Sequence, residues 1–451
     1  MALKNVENRA IPPEGIFGPR PNVSGIILDK QTVRLIPLRP KDLYVPTDQI
    51  DFRLVLNKVI DPATLTLNFN LQTTGTGPIF DDGAHAVIER LQVGFNDGPK
   101  IEQIDAYSLL HGLMAKWLIH EDYKGSVGTR EGYYRRVFGS RASTQSNASG
   151  VPQPLATENS WNSAFNAYLS SESLIDFKTA TSREVDRFKT VKRQVSIPLD
   201  LAGLLQRKLL YVSMLGSVDI SITLQKAASC MGCNSDVAVA DVSYKLSDVE
   251  LTCDVLDFSP EYMTGLWESL KSGISWDYNT WDSFRFTPAA SGSYDARLQK
   301  SYQSVRSAFV VLQKTFVMDT TDVSIINKSG YLKRFGVTSY QVFVDGRPFS
   351  SHEIPCGAAA SSEAMYELQK AMDTTGRQDL AVWQNDLDYE NNGSFAIGID
   401  FESSEYLSGA TINDLTIRFI GGTLSGAMIY LFVNYDARLV LMPANRITRL
   451  M

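Results

Sequence analysis

Alternation of apolar and polar residues with period two runs through most of the chain. Leu65, Leu67, Phe69 and Leu71 alternate with Thr64, Thr66, Asn68 and Asn70, and Val218, Ile220, Ile222 and Leu224 alternate with Asp219, Ser221, Thr223 and Gln225. The first run puts every apolar side chain on one face of a half-buried strand, and the second is an equally strong strand pattern. Gly25 to Ile36, Ile50 to Leu56, Phe188 to Leu199 and Val242 to Leu256 read as further strands, as do Ile274 to Phe286, Val305 to Val317, Phe395 to Phe401 and Leu415 to Ile420. Ala427 to Leu441 is apolar on both faces at Ile429 to Val433, the pattern of a central strand. Helical spacing is confined to short stretches. Tyr107 to Ile119 carries Leu109, Leu110, Leu113 and Trp117 on one side with Asp105 or Ser108 as a cap, and Leu201 to Leu205 supports a turn or two. Ser259-Pro260-Glu261 opens a helix to about Ser272, with the serine as N-cap and proline at the first helical position.

One arrangement occurs twice. Val87 to Phe95 leads through Asn96-Asp97-Gly98 into Lys100 to Ile104 and then the helix from Tyr107. Tyr331 to Val344 leads through Asp345-Gly346 into Arg347 to Ile354 and a helix at Ser361 to Met372, with Met365, Leu368 and Met372 on one face. Asp-Gly between alternating runs marks a hairpin because the turn needs a positive φ that glycine adopts without steric penalty. Downstream, Gly216 to Leu224 answers Asn413 to Phe419, and Val242 to Phe258 answers Ala427 to Met442. The chain therefore reads as two β-sandwiches of similar plan in tandem.

A length of 451 residues suits two such domains with large loops better than one core. The division expected is an arm at 1–23, broken by Pro12, Pro13, Pro19 and Pro21, a first sandwich at 24–258, a junction helix at 259–273 and a second sandwich at 274–451. Periodicity dissolves at 121–187 and again at 373–394, which predicts surface insertions, with SRASTQSNASGVPQP the least ordered part of the first. Hydrophobic residues at 44% and charged residues at 21% are globular values, so both units should fold. A net charge of −7 argues against a general polyanion binder, yet both ends are basic: Arg9 and Arg20 lie in one, Arg446 and Arg449 in the other. Two readings stand for them, solvated tails or ends placed near something anionic. The N-terminus has no apolar signal core, so the protein is expected to be made in the cytosol and not secreted.

Reactive chemistry is sparse. Cys230-Met-Gly-Cys233 has metal or redox spacing, with Cys253 as a further thiol, but no second pair or His-x3-His completes a zinc set, and reduced thiols in a loop are the plainer reading. His85, His111, His120 and His352 are scattered and read as packed or surface histidines; His111 and His120, nine apart, do not share a helix face. Asp386, Asp388 and Glu390 form an acidic cluster best explained as a solvated loop. Trp276, Tyr278 and Trp281 invite sugar stacking, but aromatics alternating in a strand belong more often to a core or interface. No nucleophile elbow, phosphate loop or zinc-protease motif is present, so the protein is predicted not to be an enzyme, and no catalytic, cofactor-binding or metal residue is assigned.

Ile60 to Phe69 (IDPATLTLNF), Glu102 to His111 (EQIDAYSLLH) and Val195 to Leu205 (VSIPLDLAGLL), followed by Ser243 to Leu251 and Lys300 to Phe309, resemble in order and spacing the double jelly-roll major capsid proteins of icosahedral DNA viruses, of the polinton-like virus and virophage sort. The resemblance spans Gly25 to the C-terminus. It implies an all-β fold of two tandem eight-stranded jelly rolls with short helices and long loop insertions. It also implies a homotrimeric, pseudo-hexagonal capsomer that assembles with neighbouring capsomers and with penton and minor capsid proteins into a virion shell. The 121–187 insertion would be an outer tower or clamp, and the basic ends near Arg9, Arg20, Arg446 and Arg449 would face an inner membrane or the genome. The alternative class is a jelly-roll protein that binds or hydrolyses glycans, since a fold does not fix a function.

Overall fold

The computed structural model describes residues 27–55, 58–74, 83–96, 98–119, 123, 127–132, 144–146, 152–154, 192–206, 209–212, 216–230, 243–269, 274–288, 292–314, 332, 334–357, 360–373, 389, 394–402, 409–424, 426–442 and 446–450. The strands of the first half are β1 (Ile27–Leu35), β2 (Gln49–Leu54), β3 (Val59–Thr74), β4 (Ile88–Phe95), β5 (Lys100–Asp105), β6 (Thr144–Ser146), β7 (Pro152–Pro154), β8 (Lys192–Pro198), β9 (Leu210–Tyr211), β10 (Val218–Leu224) and β11 (Ser243–Phe258). Those of the second are β12 (Ile274–Phe286), β13 (Tyr294–Leu298), β14 (Tyr302–Lys314), β15 (Val337–Val344), β16 (Arg347–Pro348), β17 (Ile354–Pro355), β18 (Ile397–Asp400), β19 (Ala410–Ile412), β20 (Leu415–Gly421), β21 (Ala427–Met442) and β22 (Arg446–Leu450). The helices are α1 (Tyr107–Leu118), α2 (Ala227–Cys230), α3 (Pro260–Ser269) and α4 (Ser362–Ala371).

In the first half one sheet runs β1-β11-β3-β8 and the other β2-β10-β4-β5; in the second they run β12-β21-β14-β18 and β13-β20-β15-β16. Position by position the orders are the same, and every pairing is antiparallel. β11 and β21, the long inner strands, are each 16 residues. Each half therefore holds eight strands in two four-stranded sheets, with β9, β17, β19 and β22 as short additions.

Local chemistry explains the details. Leu65, Leu67, Phe69 and Leu71 are buried as their alternation predicts. Pro62, which lacks an N–H for the ladder, sits in a wide bulge where the register with β11 jumps from Asp61 opposite Asp254 to Thr66 opposite Thr252. There Thr64 Oγ1 accepts the Asp254 N–H at 2.8 Å in place of a strand carbonyl. β10 is buried on both faces, because it is an inner strand and Asp219 is neutralised by Arg53 at 2.7 Å.

The two hairpins differ at their turns. Asp345 and Gly346 both have positive φ, 49° and 77°, as a tight two-residue turn requires. In the first copy the left-handed residue is Asn96 at 53° rather than Gly98, whose N–H closes the turn on the Phe95 carbonyl. α3 begins as predicted, with Ser259 Oγ accepting the Tyr262 N–H at 3.3 Å, and ends at Ser269. α1 starts from Ala106 in the left-handed region with no side-chain cap. Neither Asp105 nor Ser108 caps it, because the Asp105 carboxylate is held by Arg90 and Gln103.

The 121–187 insertion is not wholly peripheral. A 3-10 turn at Val127–Glu131 carries a buried Glu131. β6 and β7 form a two-stranded ribbon inside the segment expected to be least ordered. Apart from Tyr123 and Gly132, the remainder of that insertion, most of the 373–394 insertion and the 1–23 arm lie outside the described residues.

Candidate functional site

Glu102 is a carboxylate in phase with Ile104 on β5, which turns it toward the buried side of the strand, and it is 1% exposed. The loop after β8 bends into a 3-10 turn at Gly203–Leu205 and aims two N–H groups at it: Gly203 donates to Oε1 at 2.8 Å and Leu204 to Oε2 at 3.0 Å. Thr280, on β12 of the second half, donates its hydroxyl to the same Oε1 at 2.7 Å. A desolvated charge survives only with such partners. Here the partners come from both halves, so the carboxylate fastens them together. Gly203 has no alternative: a Cβ there would lie 1.6 Å from the Asn279 carbonyl oxygen. Ser283 on β12 donates to the Asp105 carbonyl at 2.7 Å, and Trp117 of α1 meets the buried Tyr389 of the second half edge-on at 6.0 Å. The arrangement is a seam between β5, α1 and the 199–205 loop on one side and β12 on the other.

A second polar cluster lies under α1. His85, from a 3-10 turn at Gly83–Val87, stacks on His111 at 3.6 Å between ring centroids with planes 10° apart. Both are buried. Tyr107 Oη lies 3.4 Å from His85 Nδ1, and Glu131 Oε2 lies 3.8 Å from His85 Nε2. Tyr123 donates to Glu131 Oε1 at 2.7 Å. Burial works to raise the Glu131 carboxyl, but the neighbouring His85 imidazole, the Tyr123 hydrogen bond and the Arg130 charge outweigh it and hold the group below the usual range. Asp200, exposed as a whole residue, brings a carboxylate oxygen within 4.8 Å of the ligand nitrogens of both histidines, which makes this the set among the described residues with metal-ligand chemistry. Face-to-face rings point their nitrogen lone pairs side by side rather than at one point. The cluster as folded thus packs α1, and a tetrahedral ion needs one ring turned.

His352 is exposed and bonded to Glu363 at 2.7 Å, while His120 lies outside the described residues. Cys230, Cys253 and Cys356 are buried free thiols; burial pushes Cys253 up to about 11, Cys356 up to about 12 and Cys230 higher still, which suppresses thiolate chemistry. Cys233, Asp386, Asp388 and Glu390, with Arg9 and Arg20, lie outside the described residues. Tyr278 and Trp281 are buried, the latter against Phe309, as core aromatics rather than a sugar platform; the side chain of Trp276 is not described. Arg446 and Arg449 fall on β22, opposite Met442 and Leu439 of β21.

The fold is shared with solved structures. A chain of the Sputnik virophage matches with a TM-score of 0.59 and 10% identity over 98% of this chain and 92% of that one. The Faustovirus major capsid protein matches at 0.55 and 9%, covering 98% of each chain. VP54 of PBCV-1, fitted into a reconstruction of the virophage, matches at 0.53 and 8%, covering 94% of this chain and 96% of that one. No protein-family model and no curated protein matches the sequence. The class is therefore the double jelly roll, an architecture that the chain spans nearly end to end.

Proposed function

We propose that this protein is the major capsid protein of an icosahedral DNA virus, a structural subunit without a reaction of its own that acts as a homotrimeric, pseudo-hexagonal capsomer. The observation that carries the reading is the pair of halves with identical sheet order, fastened through Glu102, in a chain whose full length follows the Faustovirus major capsid protein. Three chains of two similar units offer six similar edges, which tile a hexagonal net from one gene product. The units are 24–258 and 274–451, with 259–273 as the junction. Neighbouring capsomers and penton and minor capsid proteins are its partners in the virion, and it is made in the host cytoplasm. The basic ends, with Arg9, Arg20, Arg446 and Arg449, face an inner membrane or the genome. No helix among the described residues is long and apolar enough to cross a membrane.

The test is light scattering with negative-stain imaging of the purified protein. Three-lobed particles of hexagonal outline, with a mass three times the 50.0 kDa of one chain, are expected. The contacts between chains should fall in the obligate class, about 2,000 Å² or more each. A monomer that persists at micromolar concentration and forms no particles overturns the reading.

A further inference from the structure

The seam within the chain is heterologous: β5 with α1 on one half meets β12 on the other. Because the halves repeat, each also owns the surface that its sister has already used. The first half has β1 in the place of β12, and the second has β16, β17 and α4 in the place of β5 and α1. Among the described residues both unused surfaces carry exposed apolar side chains.

Strand register fixes the correspondence. Thr280 pairs with Tyr435, the ninth residue of β21; the ninth residue of β11 is Leu251, which pairs with Leu35. The stretch 280–283 that grips β5 thus corresponds to 35–38. On the other side, Arg90 and Leu91 of β4 pair with Asp105 and Ile104, while Ser339 and Tyr340 of β15 pair with Pro355 and Ile354. Ile354 therefore stands where Ile104 does; Glu102 lies opposite Val93, and the corresponding Val342 carbonyl accepts the Phe349 N–H, so Phe349 stands nearest the place of Glu102.

Exposure separates the used surfaces from the unused ones. Glu102 and Thr280 are each 1% exposed, but Ile36 is 73% and Leu38 52% exposed, and on the far side Phe349 is 49% and Tyr366 50% exposed. An open cleft of about 480 Å³ lies beside Ile36, walled by Pro37, Pro40, Leu43 and Val249. Exposed apolar groups gathered at one place are the mark of an interaction surface.

We propose that residues 349–353 and Tyr366 of one copy dock on β1 and residues 35–38 of a second copy, repeating between chains the seam that joins the halves within one. The proposal rests on the capsomer reading and names its surfaces. A head-to-tail contact of this kind closes a ring when the rotation permits, and three chains then supply three seams inside and three between.

Co-expression of F349C with I36C, both in a C233S background, tests it under mild oxidation; the thiols of Cys230, Cys253 and Cys356 are buried. A covalent dimer is expected from the mixture and from neither variant alone. I36D/L38D should lower the trimer fraction at least tenfold while leaving the thermal melt of the monomer within a few degrees of the wild type. If the wild type forms trimers but the mixture does not cross-link and I36D/L38D stays trimeric, the surfaces are wrong and the capsid reading stands. If the wild type is itself monomeric, the capsid reading fails with them.

Discussion

Glu102 gathers the Gly203 and Leu204 N–H groups and the Thr280 hydroxyl into one desolvated carboxylate. Replacing it by alanine leaves these donors buried without their acceptor, and each such loss costs about 1–3 kcal/mol. E102A should therefore lower the urea midpoint by far more than T280V, which removes one hydrogen bond worth roughly 1 kcal/mol. G203A acts by another route, since its methyl would overlap the Asn279 carbonyl oxygen. Overpacking of that kind costs on the order of 1–3 kcal/mol, and limited proteolysis at the junction should rise as the seam loosens. Glu131 predicts a pH effect. Its carboxyl is held below the usual range in the folded protein, so its stabilisation is complete above the ordinary carboxylate pKa, about 4.3, and is lost as pH falls through the lowered value. E131Q should be less stable at neutral pH and should show a flatter acid limb in denaturation measured against pH.

At the level of elements, the period-two runs locate the long strands to within a few residues. The duplicated hairpin and helix are visible because turn chemistry and a change of period mark both ends. What the pattern does not carry is contact across sequence distance. His85 and His111 lie on separate turns, 26 positions apart in the chain, and only the packing of α1 stacks them. Glu131 sits in a stretch whose composition reads as surface, because a single buried carboxylate on a five-residue turn with Val127 and Arg130 exposed leaves no periodic trace. Glu102 did leave a signal, a carboxylate in step with Ile104 on the inward face of its strand, but that parity does not say what it holds. The turns supply a prediction of their own. Gly346 has φ 77° and open space where a Cβ would stand, so G346A should cost about 1–2 kcal/mol through backbone strain alone. G98A has no positive φ to lose; its penalty comes from crowding against the Phe95 carbonyl, 2.9 Å from an added methyl, and a small shift of the loop relieves it. Melting temperatures of the two variants separate the two causes.

For the whole molecule, two sheets per half with identical order account for the likeness to capsid structures at sequence identities near a tenth. The conserved quantity is the layout of strands, not the residues on them. Among the described residues the thiols are buried and free, so reducing agent should leave the thermal midpoint of the assembled protein unchanged. A reductant-dependent fall of several degrees would instead indicate a cross-link involving Cys233.

The short helix α3 between β11 and β12 ties one seam covalently. A tether of that length gives the joined modules an effective concentration in the millimolar range, far above that of free subunits in a cell. In the proposed six-module ring half of the contacts are thereby settled as each polypeptide folds, and the dilute, slow part of construction shrinks to two collisions. Six separately encoded modules would need five, and would risk rings built from one kind alone.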